Sequence, residues 1–126
     1  MKRKGNKSDF TADRNAELRA AFFNQEIYNT SDAVMIKTVR TPASRFWVDP
    51  YRARDVLSRY EKNPDSITSM NPERQRMYKV LYEKYKELRS QFPTDTKIKL
   101  TSMAVYSQAP EFFLSPATAR TIIYSF

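Results

Sequence analysis

The sequence contains no cysteine and no histidine, and its only glycine is at position 5. Without cysteine the chain has neither disulfides nor a thiol nucleophile, and without both residues it lacks the ligands of the common zinc sites. The absence of histidine removes the usual proton shuttle near neutral pH. We therefore expect a protein that is not an enzyme and that uses no metal ion and no cofactor.

The chain also lacks a long hydrophobic run, and none of its apolar segments approaches the roughly 18 to 20 residues that cross a bilayer. The basic start, Met1 to Lys4, leads into polar residues rather than into the apolar core of a signal peptide. These features predict no membrane partner and a location in the cytoplasm.

The scarcity of glycine leaves few tight hairpin turns, and apolar and polar residues do not alternate over strand lengths. Apolar residues instead recur at helical spacing, which predicts an all-α fold. The predicted helices cover about 11–25, 31–40, 49–60, 72–91, 95–107 and 115–126.

Polar and proline-containing positions predict where these helices begin. Asp49 and Asn71 each precede a proline, the usual order of an N-cap and a first helical residue. Ser31 or Asp32 is the expected cap of the second helix, and Thr94 or Asp95 that of the fifth. In the fourth helix, a buried stripe is expected from these residues: Met77, Leu81, Tyr85 and Leu88, supported by Val80.

The chain divides at a polar segment, 63–71, which contains Asn63 and Pro64. We expect a basic flexible arm over 1–10, a tri-helical unit over 11–62, a linker over 63–71 and a second tri-helical unit over 72–126.

Two aromatic connectors and the helices after them match at a shift of 66 residues. Residues 42–60 and 108–126 share five identities: Ala43 with Ala109, Phe46 with Phe112, Pro50 with Pro116, Ala53 with Ala119 and Arg54 with Arg120. The pattern favours an internal duplication, although any capped amphipathic helix after an aromatic residue has some of the same features. Trp47 and Phe113 are expected to anchor the core.

The connector sequences, A-S-R-F-W-V-D at 43–49 and A-P-E-F-F-L-S at 109–115, resemble a motif of the form A-P-R-F-[WY]-V-S. This motif is found in small proteins that look like helix-turn-helix DNA-binding proteins of bacteria and phages. The resemblance implies two helix-turn-helix-like units. Ser44 replaces the proline of the motif in the first copy, and Glu111 replaces its arginine in the second.

The charge balance agrees with a polyanionic partner, since Lys and Arg total 22 against 14 Asp and Glu, a formal charge of +8. We expect non-enzymatic binding of double-stranded DNA, as a regulator or accessory factor of a bacterial or phage genome. The predicted DNA contacts are Arg40, Arg45, Arg52, Arg54, Arg59, Lys62, Thr118, Arg120 and Thr121, and the predicted arm contacts to phosphate are Lys2, Arg3, Lys4 and Lys7.

Other interpretations of the same residues remain open. The arm is as readily a solubilising tail, and the arginines of the third helix can be a solvated face. The alternative function is a virion or assembly component, or another protein-interaction module, in which the fourth helix presents Tyr78 and Tyr82 to a protein partner or in a homodimer. Three glutamates, Glu73, Glu83 and Glu87, supply carboxylates, but the sequence indicates no convergent acid, base and nucleophile.

Overall fold

The computed structural model describes residues 8–25 and 31–125, and every regular element there is helical. The α-helices are α1 (Ser8–Phe23), α2 (Asp32–Val39), α3 (Pro50–Lys62), α4 (Pro72–Gln91), α5 (Lys97–Val105) and α6 (Pro116–Tyr124). A short 3₁₀ helix, Pro64–Ile67, precedes α4. The all-α prediction is therefore confirmed for the described residues.

Side-chain caps fix the starts of α2 to α6. Each cap oxygen accepts a hydrogen bond from a backbone N–H of the first turn, which would otherwise lack a partner inside the helix. The caps are Ser31, Asp49, Asn71, Thr96 and Ser115. The expectation for α5 was wrong, because Thr96 caps this helix whereas Asp95 forms an ion pair with Lys99 at 3.4 Å.

The buried face of α4 contains the predicted stripe but differs from its prediction at Val80. Tyr78 is only 1% exposed, whereas Val80 is 38% exposed. The predicted stripe of Met77, Leu81, Tyr85 and Leu88 is buried, so Tyr78 joins it in the place expected for Val80. Presentation of Tyr78 to a protein partner is consequently wrong, since its ring lies in the core.

The segment 63–71, predicted as a linker, is packed against the first half of the chain. The 3₁₀ helix within it contacts α3, and Ile67 is 1% exposed. Asn63 caps this short helix by accepting a hydrogen bond from the backbone N–H of Asp65.

The two halves of the chain exchange helices. In the core α2 packs on α6 and α3 packs on α5, while α1 contacts both α2 and α6 and α4 contacts both α5 and α3. Each half therefore supplies a helix to the packing of the other. One continuous cluster of buried apolar side chains, which includes Phe46 and Phe112, results from this arrangement.

The connectors between these helices also pair with each other. We call residues 40–49 the first connector and 106–115 the second connector. Ala43 and Ala109 exchange both backbone hydrogen bonds, with N···O distances of 3.0 and 2.9 Å. The N–H of Phe46 donates to the carbonyl of Val105, and the N–H of Phe112 donates to that of Val39, both at 2.8 Å.

These four hydrogen bonds are reciprocal. Ala43 and Ala109, Phe46 and Phe112, and Val39 and Val105 are the pairs that a shift of 66 residues matches in the sequence. The connectors are thus related by an approximate two-fold axis that passes between Ala43 and Ala109.

Candidate nucleic-acid interface

The exposed face of α3 follows from the helical spacing of its apolar residues. Ala53, Val56 and Leu57 are buried against α5, so that Arg52 and Arg59 project to solvent from the other side. Asp49 fixes the start of this helix through its side chain, which accepts hydrogen bonds from the N–H groups of Tyr51 and Arg52.

A third arginine joins these two from a neighbouring helix. Arg74 lies in the first turn of α4, and its positive charge acts on the hydroxyl of buried Tyr78 together with those of Arg52 and Arg59. Burial raises the pKa of Tyr78, and the three guanidiniums oppose that rise. Arg52 and Arg74 also line one cavity together with Tyr78, and we call Arg52, Arg59 and Arg74 the arginine face.

None of the three forms an ion pair with another described residue, although seven ion pairs involve other Lys and Arg side chains in this part of the chain. All three residues are exposed. Exposed positive charges that form no ion pair create a local field that attracts a polyanion. The arginine face is therefore a candidate site for a polyanion.

The remaining cations predicted on α3 and before it differ in their surroundings. Arg54 forms an ion pair with Asp55 at 3.3 Å, and its guanidinium lies over the ring of Tyr51. Lys62, the last residue of α3, and Arg40, the C-cap of α2, are exposed and form no ion pair among the residues described. Lys62 and Arg40 can add charge to the surface, whereas Arg54 is partly neutralised.

Arg45 is engaged inside the molecule. Its Nε donates to the carbonyl of Phe46 and its Nη2 to that of Val48, both at 2.9 Å. The guanidinium also lies 4.5 Å from the ring centroid of Tyr106 and 5.2 Å from that of Trp47. Burial lowers the pKa of Arg45, against the opposing influence of Tyr106. This geometry favours a structural role in the first connector.

The equivalent face of α6 has little free positive charge. Arg120 forms an ion pair with Asp32 of α2 at 2.6 Å. Thr118 and Thr121 are exposed, but the Thr118 hydroxyl is hydrogen-bonded to Ser115 and that of Thr121 donates to the carbonyl of Ala117. The predicted arm cations, Lys2, Arg3, Lys4 and Lys7, lie outside the described residues.

Sequence reasoning missed two arginines, Arg74 and Arg14. Arg74 belongs neither to the apolar stripe of the fourth helix nor to its charge pairs, so the local sequence contains no signal for it. Arg14 lies four residues before Leu18, on the side of α1 that was predicted to be buried. A cation on an apolar helical face was the signal for this second residue.

The described residues contain no group of three or more acidic side chains placed to hold a metal ion. Within the same part of the chain, no helix has both the length and the apolar character needed to span a bilayer. No protein-family model matches the sequence, and neither a curated protein nor a solved structure matches it significantly. What the protein binds must therefore be inferred from its side chains.

Proposed function

We propose that this protein is a non-enzymatic DNA-binding protein, a regulator or accessory factor of a bacterial or phage genome, which places α3 in the major groove of a duplex. The observation that carries the proposal is the arginine face. Arg52, Arg59 and Arg74 supply three exposed positive charges without an acidic partner among the described residues.

The spacing of these residues suits a duplex. Arg52 and Arg59 are seven residues apart, which in a helix corresponds to about 10 Å along the axis. This length covers about three nucleotide steps of one DNA strand. An α-helix fits the major groove, where a guanidinium binds either the O6 and N7 atoms of guanine or a phosphate.

The two copies of the unit contribute unequally in this mode of binding. On α6 the one cation of the outward face, Arg120, is paired with Asp32, so this helix offers mainly hydroxyl groups to a ligand. The electrostatic part of affinity then comes from α3 and from the first turn of α4. We therefore expect a single dominant contact region rather than two equal half-sites.

The proposal is tested by fluorescence anisotropy with a labelled random duplex at several salt concentrations. One variant combines Arg52→Gln, Arg59→Gln and Arg74→Gln. The control combines Arg54→Gln, Lys84→Gln and Lys86→Gln, which removes the same charge from cations that are already ion-paired. We expect the first variant to lose about 100-fold or more in affinity, at about 1 to 3 kcal/mol for each contact, and the control to lose less than about fivefold.

Two results would overturn the proposal. One is an undiminished affinity in the first variant, and the other is an equal loss in both variants, which would indicate a response to net charge alone. Circular dichroism of each variant checks that the helices are retained.

A further inference from the structure

A groove crosses the surface where the first turns of α3 and α6 approach α1 and α4. It consists of two adjoining cavities of about 300 and about 170 Å³. Four residues line both of them, namely Arg14, Trp47, Arg74 and Met77. The larger cavity reaches the lower end of the usual range for small-molecule sites, about 300 to 1,000 Å³.

The lining of the groove includes residues that the approximate two-fold axis of the connectors relates to each other. Three pairs of matched positions line its two cavities: Trp47 with Phe113, Asp49 with Ser115, and Arg52 with Thr118. The two sides differ in chemistry, since Asp49 and Arg52 are charged whereas Ser115 and Thr118 are neutral. One bound molecule therefore meets an asymmetric site.

Positive charge lines this groove from three helices. Arg14 is half-buried, and its Nε and Nη2 both donate to the neutral Oδ1 of Asn15, at 3.1 and 3.0 Å. It forms no ion pair with a described residue, and burial lowers its pKa. A guanidinium that has lost part of its hydration and lacks a carboxylate favours an anion beside it. Arg74 and Arg52 are further cations of the lining.

The groove also has an apolar and a hydroxyl-binding part. Trp47, Met77 and Phe113 form an apolar wall suited to a flat ring. Glu73 lies at the same cavity, and its carboxylate repels a second phosphate but accepts hydrogen bonds from sugar hydroxyls.

From this combination we infer that the groove binds a nucleoside monophosphate. The phosphate lies between Arg14 and Arg74, the base contacts the apolar wall, and the ribose faces Glu73. This site overlaps the proposed DNA contact at Arg52 and Arg74. Arg14 belongs to the groove alone, so its substitution distinguishes nucleotide binding from DNA binding.

The fluorescence of Trp47 reports directly on this site, because Trp47 is the only tryptophan of the protein. The full chain is titrated separately with adenosine monophosphate, adenosine, adenosine triphosphate and inorganic phosphate. Tryptophan fluorescence is excited at the red edge of the tryptophan absorption band, which limits absorption by adenine. We expect a saturable change with the monophosphate, at concentrations below about 1 mM. Adenosine lacks the phosphate, inorganic phosphate lacks the base and the ribose, and adenosine triphosphate adds negative charge that Glu73 repels. Each of these three compounds should therefore bind at least about tenfold more weakly.

Arg14→Gln should weaken monophosphate binding about tenfold or more, while Arg14→Lys, which keeps the charge, should retain part of the affinity. The matched control is Arg54→Gln, whose guanidinium lies outside the groove. Ligand-induced increases in melting temperature provide a second readout for every variant. Absence of saturable binding to the wild type, equal binding of inorganic phosphate, or an unaltered affinity in Arg14→Gln would each overturn the inference.

Discussion

Arg45 and Glu111 occupy matched positions in the two connectors and carry opposite charges, yet both attach a connector to its neighbours. Glu111 forms an ion pair with Arg76 of α4 at 3.0 Å. Arg45 binds two carbonyls of its own connector and faces three aromatic rings. The motif predicted a DNA contact for Arg45. The structural contacts of this residue could not be predicted, because local sequence cannot reveal that Tyr106, 61 positions away, lies beside it.

Replacing Arg45 should lower stability. Arg45→Lys loses the paired N–H donors and the flat surface that stacks on the rings, and we expect the free energy of unfolding to fall by about 1 to 3 kcal/mol. Equilibrium urea denaturation measures this change. Arg40→Lys, at an exposed cap, is the control and should change stability by less than about 0.5 kcal/mol. Equal stability of Arg45→Lys and wild type would contradict the structural role.

Ser44 provides a second prediction at the residue scale, since it departs from the proline of the motif. Its N–H and hydroxyl donate to the two carboxylate oxygens of Glu17, at 2.6 and 2.7 Å. Ser44→Pro removes both donors and should cost about 1 to 2 kcal/mol. In a double-mutant cycle with Glu17→Ala, the cost should largely disappear in the background that lacks the carboxylate. An undiminished cost there would show that the hydrogen bonds contribute little.

At the scale of single helices, local sequence carried most of the information. Asp49 and Asn71 each combine a cap with a following proline, and the starts of α3 and α4 were predicted from that combination. The start of α5 was misplaced because Thr94, Asp95 and Thr96 are all acceptable caps, and the choice depends on the turn closed by the N–H of Asp95 on the carbonyl of Phe92. The buried side of α4 depends on contacts with α3 and α5, which periodicity alone does not specify.

The burial of Tyr78 in α4 predicts a pH dependence. Its pKa is raised above the ordinary 10.0, so above pH 10 the unfolded chain releases this proton first and the folded chain binds more protons. Stability from this residue is therefore complete below pH 10 and is lost as the pH rises further. Urea denaturation between about pH 9 and 11 measures how the free energy of unfolding falls with pH. It should fall less in Tyr78→Phe than in wild type, because the variant lacks this hydroxyl, whereas the lysines titrate alike in both proteins. Parallel pH profiles would contradict this assignment.

At the scale of the whole molecule, the exchange of helices could not be predicted, because it concerns contacts between segments far apart in sequence. The shift of 66 residues matched the connectors in the sequence, but it did not indicate that Ala43 pairs with Ala109. The arginine face was predicted only in part for the same reason: Arg52 and Arg59 follow from the pattern of α3, whereas Arg74 is brought beside them by packing of α4.

Exchanged helices predict one cooperative unfolding transition. Since α3 packs on α5 and α2 on α6, loss of either half exposes the core of the other. Urea denaturation followed by the fluorescence of Trp47 and by far-ultraviolet circular dichroism should give coincident curves. Two separated transitions would show instead that the halves fold independently.

The salt dependence of binding tests most directly whether the arginine face contacts the phosphates and bases of a duplex. Affinity for random duplex DNA is plotted against salt concentration on logarithmic axes for wild type and for the variant with Arg52, Arg59 and Arg74 replaced by glutamine. If the three guanidiniums contact phosphates, the slope of the variant should be smaller in magnitude by about 1 for each contact, hence by about 3 at most. Identical slopes and affinities would contradict a contact between the arginine face and DNA.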